Sequence, residues 1–531
     1  MFGNANGALQ KEKGEKIPFQ DTVKSVRKLS VQVTENKKMG ADLLFMSTYM
    51  ASITTAGVTR PEIFAYTAVR HEYVPTKYVQ KVEFFVRRWN YSYVEGLHLV
   101  ADKVKNEMLR SMLNRYANSI ESGVPDEDFL NRELQTIRSV YRNTYEQGLE
   151  LLKKWGDAYI AMLFSGSLVA IIIMISVAIY SPEGIDSSLN TSYMIILSIS
   201  VMGLIIMYRA VPQDDRTHKM PDQCSREQGM IYRMERFVIP TIAVASIALY
   251  LLGTGFGLIF LLIGILLAPL GIIGFIDDTN IIHRDRDFST FIRALGSVMG
   301  GKGITTTFAL AEVDRKSLEH LEPLINSVYS KLNLGLDEQK SWERFIGESG
   351  SNLIYKYMHI FRDSVQLGGS PDKIGEIIGS SMLEQVLLRE KRDMLSKGFI
   401  VLMIPMHGAM AGIFLFLFYI LLMMSKAITA VMAQYAETGS ALSGTSSSGM
   451  SSMAGMNLFV NFPEAQMTTY VVTILVLITI SNVLAGKIVA GGDRYMLYFF
   501  ASILCIITGI MFIIAPIVVG MFFNMPGLGL T

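Results

Sequence analysis

The chain has 531 residues, half of them hydrophobic, with 48 Lys and Arg set against 47 Asp and Glu. A formal charge of +1 gives no global basic field, which excludes nucleic acid as a partner. Two cysteines, Cys224 and Cys505, the latter inside an apolar run, exclude a disulfide framework and a thiolate metal cage.

Residues 1–39 form a polar tail carrying Lys11, Lys13 and Lys16. The tail has no apolar core, so it is not a cleaved signal peptide, and the first domain is expected to stay on the side where it is made. Residues 40–157 predict a first helical bundle. Leu43, Leu44, Met46, Met50 and Ile53 recur at the spacing of one buried helix face. Gly57 and Pro61 break that helix. Further helices are predicted over 63–74, 76–91, 94–121 and 128–155. The third of these stops at Gly123-Val-Pro125, where glycine caps a helix and proline cannot continue it.

Residues 158–276 predict four membrane helices with a cytoplasmic loop at 212–236, and 277–398 a second bundle. A fifth membrane helix follows at 399–424, then a flexible external loop at 425–468 rich in Ser, Gly and Met, and two membrane helices within 469–531. The apolar run from Phe399 to Met424 has no formal charge and exceeds the roughly 20 residues a bilayer needs. Arg216, Lys219, Arg226, Arg233 and Arg236 crowd one connection, and Lys487 and Arg494 another, whereas 181–192 and 253–257 have no Lys or Arg. By the positive-inside rule the N-terminus and both bundles are cytoplasmic and the C-terminus is outside. The predicted fold is an all-α, multi-pass membrane protein with two duplicated cytoplasmic bundles and about seven transmembrane helices.

The duplication shows as landmarks in matched order. Met46-Ser-Thr-Tyr-Met, Gly57-Val-Thr and Phe64-Ala65 correspond to Phe288-Ser-Thr-Phe-Ile, Gly303-Ile-Thr and Phe308-Ala309. Ser119-Ile120 with Gly123-Val-Pro125-Asp126 corresponds to Ser364-Val365 with Gly368-Gly-Ser-Pro371-Asp372. Gly123, Pro125, Gly368 and Pro371 read as hinges ahead of a basic helix and a membrane helix.

Catalytic chemistry has little to stand on. Gly296 to Gly303 has the glycines of a phosphate loop, but Gly303 replaces the hydroxyl residue that would hold magnesium and a helix precedes it. It reads as a Gly-rich turn between bundle helices. We assign no catalytic, metal or cofactor residues and expect no enzyme. His407, the one ionisable group in mid-membrane, fits helix packing or an interhelical hydrogen bond, with Gly408 and Gly412 as a small-residue contact face. A transporter, the remoter alternative, would need more intramembrane carboxylates or broken helices. The basic helices beneath the membrane carry Arg138, Arg142, Lys153 and Lys154 in one copy and Arg389, Lys391, Arg392 and Lys397 in the other. They are positive-inside anchors, solvated faces, or a docking surface for a cytosolic partner.

These runs resemble the type II secretion F family, the platform proteins of type II secretion, type IV pili and the archaellum, which have duplicated cytoplasmic bundles each followed by a membrane helix. Phe288-Ser-Thr-Phe, Gly303-Ile-Thr-Thr-Thr-Phe-Ala-Leu, Ser364-Val-Gln-Leu-Gly-Gly-Ser-Pro371, Arg389-Glu-Lys-Arg-Asp and Ile404-Pro-Met-His-Gly-Ala-Met carry the resemblance, which covers about 38–425. The extra membrane helices between the bundles are most similar to the archaellum platform; a platform for a non-motility pilus or secretion system is the alternative. The resemblance implies a non-enzymatic scaffold in the cell membrane, in contact with lipid and forming a homodimer. It would seat a hexameric cytosolic secretion ATPase, pass its cycle to pilin-like or archaellin subunits, and in the archaellum serve rotation. The eight cations named above are its candidate ATPase-docking residues.

Overall fold

A computed structural model describes residues 35, 38–180, 185–220, 223–441 and 462–523. The polar tail up to residue 34 and the Ser/Gly-rich stretch 442–461 lie outside the described residues. The chain divides into two compact units, Met1–Met50 with Val58–Ile137, and Ala51–Gly57 with Arg138–Thr531.

The first unit is built from most of α1 (38–54), α2 (Arg60–Ala68), α3 (Thr76–Trp89), α4 (Tyr93–Ala101), α5 (Glu107–Glu121) and the start of α6 (Asp126–Tyr180). Leu43, Leu44 and Met46 of α1 are fully buried, as the periodicity predicts. Pro61 sits in the first turn of α2, where a missing N–H costs nothing, behind a capping box between Thr59 and Glu62. Phe64, Tyr116 and Phe129 stack at 5.6 and 4.8 Å between centroids, joining α2, α5 and α6. The helix predicted over 94–121 is in fact two. Asn106 caps α5 by accepting from Leu109 N–H at 3.0 Å, and an N-cap side chain competes with continuation of the preceding helix.

The second unit holds the rest of α6, then α7 (Ile185–Ala210), α8 (Arg226–Leu251), α9 (Phe256–Lys302), α10 (Thr306–Glu312), α11 (Glu322–Asn333), α12 (Glu338–Ser349), α13 (Asn352–Gln366), α14 (Pro371–Ala441), α15 (Glu464–Ala490) and α16 (Tyr495–Phe523). Seven helices among the described residues are long and apolar enough to cross a membrane: α6 to α9 and α14 to α16. The protein is an all-α, multi-pass membrane protein. Among the described residues the sole isolated β-bridge joins Thr217 and Ser351.

Two helices run further than expected. α14 passes Ser425 and ends at Ala441, so the connection predicted at 425–468 begins as helix. The Gly-rich turn predicted at 296–303 is mostly the end of α9, with only Gly303 outside the helix, at φ 60°. Gly296 is a crossing point instead: a Cβ there would lie 2.3 Å from the Pro371 carbonyl oxygen of α14.

A glycine seam joins α9 to α16. Gly257, Gly264 and Gly271 repeat every seven residues, which keeps them on one helix face. A Cβ on each would come within 2.7, 2.6 and 2.6 Å of Phe512, Ile506 and Phe499. Backbone-to-backbone contact of this kind is how helices associate where no hydrophobic force distinguishes lipid from protein. Tyr159, Met174, Ile196, Phe414, Tyr470, Ile474, Phe500 and Leu504 form an apolar core shared by α6, α7, α14, α15 and α16.

Candidate functional site

Each copy of the Gly-Pro landmark is a Schellman cap. At the end of α5, Gly123 N–H bonds to the Ile120 carbonyl at 3.1 Å and Val124 N–H to Ser119 at 3.1 Å. At the end of α13, Gly368 N–H bonds to Val365 at 3.0 Å and Gly369 N–H to Ser364 at 3.0 Å. Gly123 and Gly368 stand at φ 72° and 89°, the left-handed region that this cap needs and that a Cβ opposes. Pro125 lies just before α6, and Pro371 opens α14. α6 and α14 then each run without interruption into an apolar span, so the charged and membrane segments beyond each cap form one rod.

The basic residues of α14 do not form a uniform surface. Arg389 is 2% exposed and lies between two carboxylates. Its Nε and Nη2 donate to the two oxygens of Asp214 at 2.6 Å each, a fork-on-fork pair, and Nη1 donates to Asp285 Oδ2 at 2.6 Å. Asp285 on α9 also accepts from Ser351 Oγ, whose oxygen caps α13 through Leu353 and Ile354 N–H at 3.1 and 3.3 Å. One guanidinium therefore ties the 211–225 connection, α9, α14 and the start of α13 together. Burial alone would raise the pKa of Asp214, but the Arg389 charge and hydrogen bonds outweigh it and hold it below the usual carboxylate value.

Arg392, one turn further, serves a different purpose. It donates to the carbonyls of Val489 at 3.2 Å, Ile488 at 3.0 Å and Pro212 at 3.2 Å. Arg216 takes the Ala490 carbonyl at 3.0 Å and pairs with Asp278. The last three carbonyls of α15 thus meet two guanidinium groups, which satisfies orphan acceptors and complements the negative end of the helix dipole. Arg138 on α6 is also buried, and bonds to Ser381 Oγ of α14 at 2.8 Å.

Of the eight candidate docking cations, Arg138, Arg389 and Arg392 are therefore internal and engaged. Arg142, Lys153, Lys154, Lys391 and Lys397 are exposed; Arg142 faces Glu384 at 3.3 Å and Lys397 faces Asp393 at 2.8 Å.

The 211–225 connection, expected only as a cytoplasmic loop, is hydrogen-bonded to α9, α12 and α13. Asn352 N–H bonds to the Arg216 carbonyl at 2.9 Å. His218 Nε2 meets the Gly347 carbonyl at 2.9 Å while Met220 N–H donates to Nδ1 at 3.3 Å. One ring nitrogen must donate and the other accept, so these partners select the neutral imidazole protonated at Nε2. Burial lowers the pKa of His218, only partly opposed by the Gly347 carbonyl. Ser225 and Gln228 at the start of α8 hold Asp277 of α9 at 2.7 and 3.0 Å.

Within the membrane, His407 is fully buried. Its Nδ1 accepts from Asn482 Nδ2 of α15 at 3.0 Å and its Nε2 meets Thr508 Oγ1 of α16 at 2.9 Å. Tyr159 of α6 donates to Asn482 Oδ1 at 3.2 Å. The chain of bonds crosses four helices: α6, α14, α15 and α16. A Cβ on Gly408 would lie 3.4 Å from Ile507 and one on Gly412 3.5 Å from Met511 of α16, and the four residues line an open apolar groove.

Residues 46–174 match the family model described as "Type II secretion system (T2SS), protein F". The match falls on α1 to α6, whereas the sequence resemblance rests mainly on residues 288–410. Over residues 46–174 the chain is similar to the type II secretion system F family. Among curated proteins it is similar to "Flagella accessory protein J" of Methanococcus voltae, 24% identical over 350 residues that cover 62% of this chain and 61% of that protein. It is similar also to the protein of the same name from Methanocaldococcus jannaschii, 21% identical over 394 residues, covering 71% of this chain and 69% of that one. The chain thus matches about three-fifths of the length of the first of these relatives. No solved structure matches.

Proposed function

We propose that this protein is the polytopic membrane platform of an archaellum or related type IV pilus-like assembly machine, a scaffold rather than an enzyme. It couples a hexameric cytosolic secretion ATPase to the assembly of pilin-like or archaellin subunits, and in an archaellum to rotation. The observation that carries this reading is the continuity of α14. Its first turns pack in the second bundle through Ile374 and Ile378, its middle is clamped by Arg389, and its end packs in the membrane core through Phe414 and Phe418. About 1.5 Å per residue makes that rod roughly 65 Å from Ile374 to Phe418, longer than a bilayer is thick. A displacement imposed on the bundle is therefore carried into the membrane along one helix, with Pro405 as the one proline on the way.

The repeated Schellman cap, each time followed by a helix that enters an apolar span, supports duplication of the bundle over 40–157 and 277–398. The Lys and Arg distribution supports cytoplasmic bundles and an outer C-terminus in the cell membrane, with 442–461 within the external connection. A homodimer joined along the Gly408/Gly412 groove of α14 fits the family. The ATPase docks on exposed cations, for which Arg142, Lys154 and Lys397 are available.

Full-length protein in nanodiscs, mixed with the cognate secretion ATPase, should bind it and raise its ATP turnover. Charge reversal at Arg142, Lys154 and Lys397 should weaken both. Absence of binding and stimulation, with filaments still made in a strain deleted for the protein, would overturn the proposal.

A further inference from the structure

A cleft of about 420 Å3 opens between α6 and α14, with α15 behind it. Its floor is apolar: Leu152, Phe399 and Val489 are all buried. Its rim is charged, with Lys153 and Asp157 on α6 and Lys391 on α14. The level of the cleft is set by three helices at once. Asp157 is the last charge of α6 before its apolar span, Phe399 begins the uncharged run of α14, and Val489 lies beside the end of α15. The cleft therefore sits at the water boundary of the membrane.

The chemistry of rim and floor is that of an amphiphile. Among the described residues Lys153 has no ion-pair partner, and Lys391 meets Glu146 at an exposed site where such a pair holds weakly. Basic pockets between membrane helices at the boundary hold anionic headgroups, with the acyl chains against apolar walls. Asp157 adds a requirement. A carboxylate beside two ammonium groups repels a bare phosphate but accepts from a hydroxyl, so the fitting headgroup carries both a phosphate and a free hydroxyl.

We infer that the cleft between α6 and α14 is a binding site for an anionic phospholipid with a hydroxylated headgroup. Its phosphate bridges Lys153 and Lys391, its hydroxyl meets Asp157, and an acyl chain lies over Phe399. The lipid joins α6 to α14, the two helices that follow the Gly-Pro caps. This assignment takes Lys153 and Lys391 out of the set of ATPase-docking cations, and it stands whether or not the protein is a filament platform.

The test uses the full-length chain in detergent, with thermal unfolding and native mass spectrometry as readouts. Phosphatidylglycerol should raise the melting midpoint by several degrees and survive as one tightly held lipid per chain, and phosphatidylcholine and inorganic phosphate should do neither. Lys153→Gln with Lys391→Gln should weaken phosphatidylglycerol binding about thirtyfold, since each cation near a headgroup is worth roughly fivefold. Gly398→Trp fills the cleft without removing a charge, because nothing lies within 4 Å of a Cβ there, and should abolish binding. Equal protection by phosphatidylcholine would mean a nonspecific lipid shell, and equal protection by phosphate a free-anion site. Retention of binding in both variants would place the lipid elsewhere. Any of these three results overturns the inference.

Discussion

The guanidinium of Arg392 occupies the space a side chain on Gly491 would need: a Cβ at Gly491 would lie 2.7 Å from Arg392 Cζ. Gly491 is also at φ 75° and ψ −135°, a conformation confined to glycine. The turn from α15 to α16 and the middle of α14 are thus mutually exclusive with any larger residue at this position.

Gly491→Ala should therefore destabilise the protein by about 1–3 kcal/mol from backbone strain, with further loss as Arg392 leaves the α15 carbonyls. Thermal unfolding in detergent reads it. Gly301→Ala, a helical site with no heavy atom within 4 Å of the added carbon, is the control and should leave the midpoint unchanged or raised.

Arg389→Met should cost about 3–5 kcal/mol, because it leaves Asp214 and Asp285 buried without their countercharge. Adding Asp214→Asn and Asp285→Asn should recover much of that loss, since the uncompensated charges are then gone. Arg389→Lys should rescue poorly, as one ammonium cannot reproduce the two-oxygen grip on Asp214. Chemical denaturation of the set measures the coupling directly.

Docking of the 211–225 connection should weaken as pH falls below about 6.5, the ordinary histidine value. His218 has a folded pKa below its unfolded one, so the unfolded state binds the proton first. Stability from the neutral ring is complete above the unfolded value and is lost as pH falls toward the folded one. Asp214, with a folded pKa below the usual 3.8, adds a second loss only in stronger acid. The protection factor of Met220 N–H against hydrogen exchange, taken relative to its intrinsic rate at each pH, should fall between pH 7 and pH 5, and His218→Asn should flatten that profile.

His407→Leu should lower stability by about 0.6–1.7 kcal/mol, the range for hydrogen bonds between membrane helices. It leaves Asn482 Nδ2 and Thr508 Oγ1 without the imidazole. Adding Asn482→Leu should cost less than the sum of the two single changes, because one variant removes the partner the other left unsatisfied. Steric-trap or thermal unfolding in bicelles gives the four values.

Much of the fold was legible in the sequence because its signals are local. Seven apolar runs were long enough to span, the Leu43–Met46 face had helical period, and the Gly123 and Gly368 caps are spelled by a glycine followed by proline. What stayed hidden depends on partners remote in sequence. Arg389 and Arg392 read as exposed cations beside Lys391, and only the fold brings Asp214, Asp285 and the Ile488–Ala490 carbonyls onto them. The seam of Gly257, Gly264 and Gly271 has a heptad period, but glycine in an apolar helix signals flexibility and close contact alike. The break between α4 and α5 turned on one capping asparagine, Asn106, in a stretch whose apolar period runs on past it.

Pro405 lies inside α14, between Arg389 and the membrane core residue Phe418. Proline has no N–H for the carbonyl one turn earlier and crowds it, so a helix bends there at lower cost than elsewhere. Below it the Arg389 clamp acts as a fulcrum, and beyond it His407 is bonded to two neighbouring helices. If the bundle tilted by about 5° about Arg389, a straight helix would carry Phe418, roughly 40 Å away, sideways by about 4 Å, and a bend at Pro405 would absorb part of that. That stroke is of the order of one helical turn.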